Sequence, residues 1–232
     1  MTGARLGRPR GISAENTARR RQQIVEAAID CIVEHGFSST TIAKVSTAAG
    51  LSQGMAVFYF KTKEILLEET LRYHYEAYQR VWQAALERAP EDPVEKIMAL
   101  VFADLDPAIC TPRNVALWNS FWGEAGARPR FAEICDEFDG ERNEVLIRLC
   151  EAAEDLIAGP IWSASSVVAA LDTMTDGMWI RMHISPTLMS KAEARELLAR
   201  FLATVLPARA AQILTFTEEL NRSFEQRQSK LA

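Results

Sequence analysis

The side chains able to do covalent chemistry are scattered. His35, His74 and His183 stand apart, and Cys31, Cys110, Cys135 and Cys150 lack the close spacing of a zinc or redox pair. No glycine-rich phosphate loop and no metal-spaced ligand set occurs. Nucleophilic or metal-assisted catalysis therefore has no machinery here, and the chain reads as a non-enzyme. The polar groups that do gather lie in Thr40–Lys63, TTIAKVSTAAGLSQGMAVFYFKTK. Its hydroxyls and the exposed N–H groups at helix starts suit phosphate oxygens. A second gathering is aromatic. Trp118 and Trp122 stand at i and i+4, so their rings share a helix face. Phe121, Trp179 and the acids Glu124, Asp172 and Asp176 are candidates to join them. Aromatic faces with carboxylates make a cage for a quaternary ammonium cation. The same stripe is equally readable as the wall of another small apolar site, or as plain core.

Helices must position both groups. Ile42, Val45 and Ala49 form one short helix running into Gly50. A second opens at Ser52 and closes on Phe58-Tyr59-Phe60. Two short helices joined through a glycine turn are a helix-turn-helix, whose second member enters the DNA major groove. A helix over about 17–34 precedes them, with Ile24, Ala27, Ala28, Cys31 and Ile32 inward. Arg19, Arg20 and Arg21 fall in its expected first turns. The helix dipole disfavours cations there, so phosphate contact and a solvated charged face are the competing readings. Phe58 is expected to pack in the core, with a DNA-facing position as the alternative. Residues 1–16 read as a disordered basic arm. Within it Arg8-Pro9-Arg10 is either a solvated tail or a minor-groove contact.

Beyond Lys63 every segment has helical spacing, and no alternating strand pattern appears. A long fourth helix runs to about Ala89. Asp92-Pro93 and Thr111-Pro112 open the next two helices. Later helices follow over about 130–158, 163–185, 190–206 and 208–229, the third of these opened by a Ser190/Glu193 capping box. The fold class is all-α. Residues 17–64 are expected as the DNA-binding domain, 65–207 as a body, and 208–232 as a helical extension. Residues 1–64 carry nine Lys/Arg against five Asp/Glu, net +4; the remainder carries 17 against 26, net −9. That is a DNA-facing head on an acidic body. With no signal peptide and no apolar run of spanning length, the chain is expected in the cytoplasm and off the membrane.

Residues 17–66 resemble the DNA-binding domain of the TetR family of bacterial regulators. Thr41-Ile42 with Val45, Ala49-Gly50-Leu51-Ser52-Gln53-Gly54 and Phe58-Tyr59-Phe60-Lys61-Thr62-Lys63 carry the likeness. The resemblance implies that Gln53 reads a base, since glutamine can pair bidentately with adenine. It implies that Gly54 lets the backbone approach the groove, and that Tyr59 contacts a phosphate or a thymine methyl. Lys63 and Thr41 become phosphate anchors. Val57 departs, standing where the family often has tyrosine. In the body, residues 116–122 and 176–181 resemble the choline-responsive, BetI-like branch.

The resemblance further implies a homodimer on a double-stranded operator. One recognition helix reads little, and paired helices reach successive major grooves when about 34–36 Å apart. The helices over 163–185 and 190–206 are the expected pairing elements. Val167, Val168, Leu171, Met174, Met178, Leu197, Leu198, Phe201, Leu202 and Val205 are their interface, or else monomer core. No cofactor is expected. A small-molecule effector is, with a quaternary ammonium such as choline among the candidates. The candidate effector residues are Trp118, Phe121, Trp122, Trp179 and Asp176. Such a protein is a ligand-released repressor, or alternatively an architectural DNA-binding protein without small-molecule control.

Overall fold

A computed structural model describes residues 10–229, and among them there is no strand. Helix α1 spans Arg10–His35, α2 Ile42–Ala48, α3 Gln53–Phe60 and α4 Lys63–Arg88. The rest comprises α5 (Pro93–Ala103), α6 (Pro112–Ala125), α7 (Pro129–Ala152), α8 (Ala164–Ile184), α9 (Lys191–Val205) and α10 (Ala210–Ser229). Among the described residues, no helix is long and apolar enough to cross a membrane.

Two compact units form. One takes the chain up to His74 together with Ser120–Ile134; the other takes Tyr75–Asn119 and the chain from Cys135 onward. The division departs from the expected boundary at 64. The reason is aromatic: Phe37, Phe121 and Phe131 pack edge to face within 5.3–5.6 Å of one another. Residues 120–134 thus complete the core of the head.

The head folds as its pattern requires. Ile24, Ala28 and Ile32 of α1, Val45 of α2, Ala56 and Phe60 of α3, and Leu66, Leu67 and Leu71 of α4 are all buried. Gly50 turns the chain between α2 and α3 at φ 64, which costs glycine nothing and other L-residues about 1–2 kcal/mol. Helix α1 starts at Arg10, seven residues before the expected Thr17, so residues 10–16 are helical and only 1–9 of the expected arm lie outside the described residues. Arg19, Arg20 and Arg21 are then well past the first turn, where the dipole no longer acts on them.

In the body, Val94, Ile97, Val101, Leu117, Leu146, Leu171, Leu198 and Leu202 are buried together. The extension past 207 is integral to it. On α10, Ile213 and Thr217 are buried, Phe216 stacks on Phe102 at 6.2 Å, and Asn221 accepts from Arg195 at 2.6 Å.

The expected dimer face needs correction. Val167, Val168, Leu171, Met178, Leu198, Leu202 and Val205 are buried within a single chain, because α8 and α9 close the body's own core. Phe201 is half-buried, its ring edge-on to Trp162 at 5.4 Å. Among the residues that α8 leaves exposed are Ala169, Thr173, Gly177, Ile180 and Ile184, which follow one another at helical spacing, and α9 exposes Leu197.

Candidate DNA interface and effector site

The hydroxyls at both helix starts in the head serve as caps. Thr41 accepts from the Lys44 N–H and Ser52 from the Met55 N–H, each at 3.2 Å. Both residues stay exposed, so their remaining lone pairs and the free first-turn N–H groups can still meet a phosphate. Gln53, Gly54, Met55, Val57 and Phe58 are exposed along α3, and Tyr59 is half-buried. Phe58 is not core. It is 68% exposed, with Tyr59 edge-on at 5.3 Å and the Lys61 ammonium 5.4 Å from its ring. The buried aromatic of α3 is Phe60. The choice between them rests on helix phase, which an unbroken aromatic run does not reveal.

The basic residues divide into surface and scaffold. Arg19 is exposed. Arg20 donates to Gln23 at 2.7 Å. Arg21 donates to the Tyr59 carbonyl at 3.0 Å, pairs with Glu69 at 2.9 Å and lies over the Phe60 ring. Its charge is repaid inside the head, joining α1 to α3 and α4. Lys63 turns its ammonium to the Phe37 carbonyl at 3.3 Å. Arg8 lies outside the described residues, and Arg10 is placed only as the first residue of α1.

The body holds a closed aromatic and charged cluster. Trp118 and Trp179 lie 6.0 Å apart, and Tyr75 meets Trp118 edge-on at 4.4 Å. Tyr78 reaches both indoles at 6.2 and 6.3 Å, and Phe138 stacks on Tyr75 at 4.9 Å. The charges run through Asp104, which is 2% exposed. Arg142 donates to Asp104 at 2.7 Å and to Asp172 at 2.8 Å. The Tyr78 hydroxyl donates to Asp104, and the Trp179 indole donates to its carbonyl at 3.1 Å. Tyr75 donates to Asp139 at 3.0 Å.

The ionisation of these groups follows from that packing. Burial pushes the Asp104 carboxyl up while Arg142 opposes it. For Arg142, burial acts downward, but Asp104, Tyr78 and Asp172 outweigh it and hold the guanidinium charged. Asp139 rises to about 7, through burial first and then the nearby Asp176. Asp176 rises to about 6 by partial desolvation and the charges of Asp172 and Asp104, although its surface stays substantially open. Four carboxyls are thus matched by one guanidinium, a surplus that a cation relieves.

Of the expected effector residues, Trp118, Trp179 and Asp176 belong to this unit. Phe121 does not join them: it packs with Phe37 and Phe131 in the head unit, to which residues 120–134 belong. Trp122 is half-buried and also counts to the head unit. The residues missed are Tyr75, Tyr78, Phe138, Asp104, Asp139 and Arg142. Their one local signal was tyrosine at i and i+3 on α4, which reads as an ordinary inner stripe.

A helix-turn-helix head with exposed polar caps, on a helical body enclosing an aromatic and acidic cluster, defines a one-component DNA-binding regulator. Residues 24–70 match the family described as bacterial regulatory proteins, tetR family, and residues 93–207 match the BetI-type transcriptional repressor, C-terminal domain. The HTH-type transcriptional regulator BetI of Paraburkholderia xenovorans (strain LB400) is 30% identical over 169 residues, covering 72% of this chain and 83% of that protein. A putative transcriptional regulator of Pseudomonas aeruginosa PAO1 shares the fold at TM-score 0.74 and 20% identity, over 84% of this chain and 94% of that one. A putative regulator of Saccharomonospora viridis, solved in complex with choline, aligns at TM-score 0.70 and 19% identity, over 80% and 96%. The chain belongs to the TetR family and carries a BetI-type C-terminal domain. It is a DNA-binding transcriptional repressor with a C-terminal regulatory domain, in a family that is not enzymatic.

Proposed function

We propose that the protein is a ligand-released repressor that binds a palindromic operator as a homodimer, in the cytoplasm, and takes a cationic, choline-like effector in its body. The surplus of acid around Tyr75, Tyr78, Trp118 and Trp179 carries this reading, because a quaternary ammonium gains from aromatic faces and carboxylates together. The choline-bound relative from Saccharomonospora viridis adds support from outside the chain. Asp104 and Asp172 already hold Arg142, so Asp139 and Asp176 are the acids left for a ligand. Tyr75 and Tyr78 lie on α4, the helix that begins at Lys63 in the head. A ligand acting on them acts on the element that enters the DNA-binding unit. It changes DNA affinity only through unequal affinity for the two states, and DNA must weaken ligand binding by the same factor, typically equivalent to about 1–3 kcal/mol.

The decisive measurement titrates choline, betaine and 3,3-dimethyl-1-butanol, the neutral isostere of choline, against indole fluorescence and operator binding. Choline is expected to quench and to release DNA, with the neutral alcohol far weaker. An equal response to the alcohol defeats the cationic assignment.

On DNA, Gln53 is the base reader and Thr41, Ser52 and Lys63 the phosphate contacts, with Gly54 allowing close approach. Val57, Tyr59 and the exposed Phe58 supply apolar surface for thymine methyls, and Arg19 and Arg20 flank the phosphate path. Gln53→Ala is expected to relax sequence preference. Lys63→Ala weakens all DNA about equally and lowers the salt slope by roughly one. Salt-titrated binding to operator and random duplexes separates the two; identical behaviour contradicts the division of roles. The exposed stripe on α8 with Leu197 of α9 is the surface we assign to the second copy, within about 163–185 and 190–206.

A further inference from the structure

Four soft donors line one cavity of about 250 Å³ at the junction of α6, α8 and α9: Cys110, Met182, His183 and Met189. We propose that this cavity is a binding site for a monovalent soft metal ion, Cu(I) or its analogue Ag(I), held by the Cys110 thiolate and the Met182 and Met189 thioethers, with His183 as the fourth donor.

The donor types come first. Thiolate, thioether and imidazole are the ligands that select Cu(I) over hard divalent ions, which prefer oxygen. No carboxylate lines the cavity. Geometry agrees. The Cys110 and Met182 sulfurs are 3.6 Å apart. Two sulfurs on one tetrahedral ion with metal–sulfur bonds near 2.3 Å stand about 3.8 Å apart, so an ion enters with a shift of a few tenths of an ångström. Met182 and Met189 are half-buried and His183 is exposed, which leaves an entry path to the buried thiol.

Charge selects the valence. Burial pushes the Cys110 thiol up, while Lys191, which lines the same cavity, and Arg195 oppose that rise. These cations stabilise a thiolate but oppose further positive charge. One thiolate with one monovalent ion sums to zero, whereas a divalent ion leaves an excess charge beside an ammonium. Binding is exchange only: the Cys110 proton passes to solvent, the sulfur lone pair goes to the metal, and nothing is oxidised. None of the site's four donors is among the residues assigned to the effector, and the site stands whatever the outcome of the choline titration.

The test titrates Ag(I), which is redox-inert in buffer, into the full-length protein by calorimetry. Four proteins are compared: wild type, Cys110→Ser, the double variant Met182→Leu/Met189→Leu, and Cys150→Ser as a thiol control. Urea midpoints confirm that each is folded. Wild type and Cys150→Ser are expected to share one tightest equivalent, which Cys110→Ser lacks. The double leucine variant keeps all four thiols and nearly the same volume, and is expected to bind that equivalent at least tenfold more weakly. An unchanged tightest equivalent in Cys110→Ser places the ion on another thiol and overturns the site. Unchanged affinity in the double leucine variant overturns it equally, because a lone thiol then accounts for binding.

Discussion

Replacing Arg142 by alanine is expected to destabilise the protein by about 3–5 kcal/mol at pH 8, the usual cost of removing one partner from a buried ion pair. Arg142 and Asp104 are both nearly inaccessible, and Asp104 receives its formal counter-charge from this guanidinium at 2.7 Å. Without it the carboxylate keeps hydroxyl donors such as Tyr78, which do not cancel its charge. Burial already raises this carboxyl, and losing Arg142 raises it further. A carboxyl whose folded pKa exceeds its unfolded value gives stability in acid that is lost as pH rises through the folded value. The deficit of Arg142→Ala is therefore smaller at pH 5 than at pH 8, as urea midpoints at the two values will read. Asp104→Leu combined with Arg142→Met removes both charges at similar volume and should recover most of the loss. A cost under about 1 kcal/mol at pH 8 for Arg142→Ala means that the pair does not hold the core.

Asp139→Asn is expected to stabilise the free protein while impairing its response to a cation. Asp139 rises to about 7 in the folded state from an ordinary value of 3.8. Its contribution favours the folded state below about pH 4 and is lost progressively up to pH 7, levelling above. Asparagine keeps the shape and still accepts from Tyr75, but it carries no charge to desolvate. The gain should therefore grow from pH 4 to pH 7 and reach on the order of 2 kcal/mol, allowing for the partial exposure of Asp139. The same substitution removes a carboxylate that a quaternary ammonium would face, so choline affinity should fall at least tenfold at pH 8. Thermal melts across pH, with and without choline, read both effects. A variant that gains no stability, or binds choline as wild type does, removes Asp139 from the site. Trading stability for an unneutralised charge is the familiar condition of a ligand site.

The head was legible in outline because its signals are local. Gly50 needs a positive φ, Thr41 and Ser52 cap the helices that follow them, and Ile24, Ala28 and Ile32 repeat with the helical period. Hydrogen bonds over three residues and a stripe over four are properties of short segments. Phe58 and Phe60 mark where this stopped: both are aromatic and two apart, and only the packing of α3 decides which is buried. The start of α1 was misplaced for a related reason, since Arg10–Asn16 has no apolar stripe to mark it as helical.

The body was legible as helices but not as a site. Asp104 meets Arg142 across 38 residues and Tyr78 across 26, and nothing local distinguishes those charges from the acids and arginines on the surface. The apolar faces of α8 and α9 pointed toward a partner copy; folding turns most of them inward and leaves Ile180, Ile184 and Leu197 outside. What the sequence by itself determined is an all-helical chain with a helix-turn-helix head, because period, caps and turn residues act over a few positions. Which aromatics enclose which acids, that Phe121 belongs to the head, and that Arg142 answers Asp104 were decided by tertiary structure alone. Burial and Coulomb coupling are set by distance in space, and distance in the chain does not encode it.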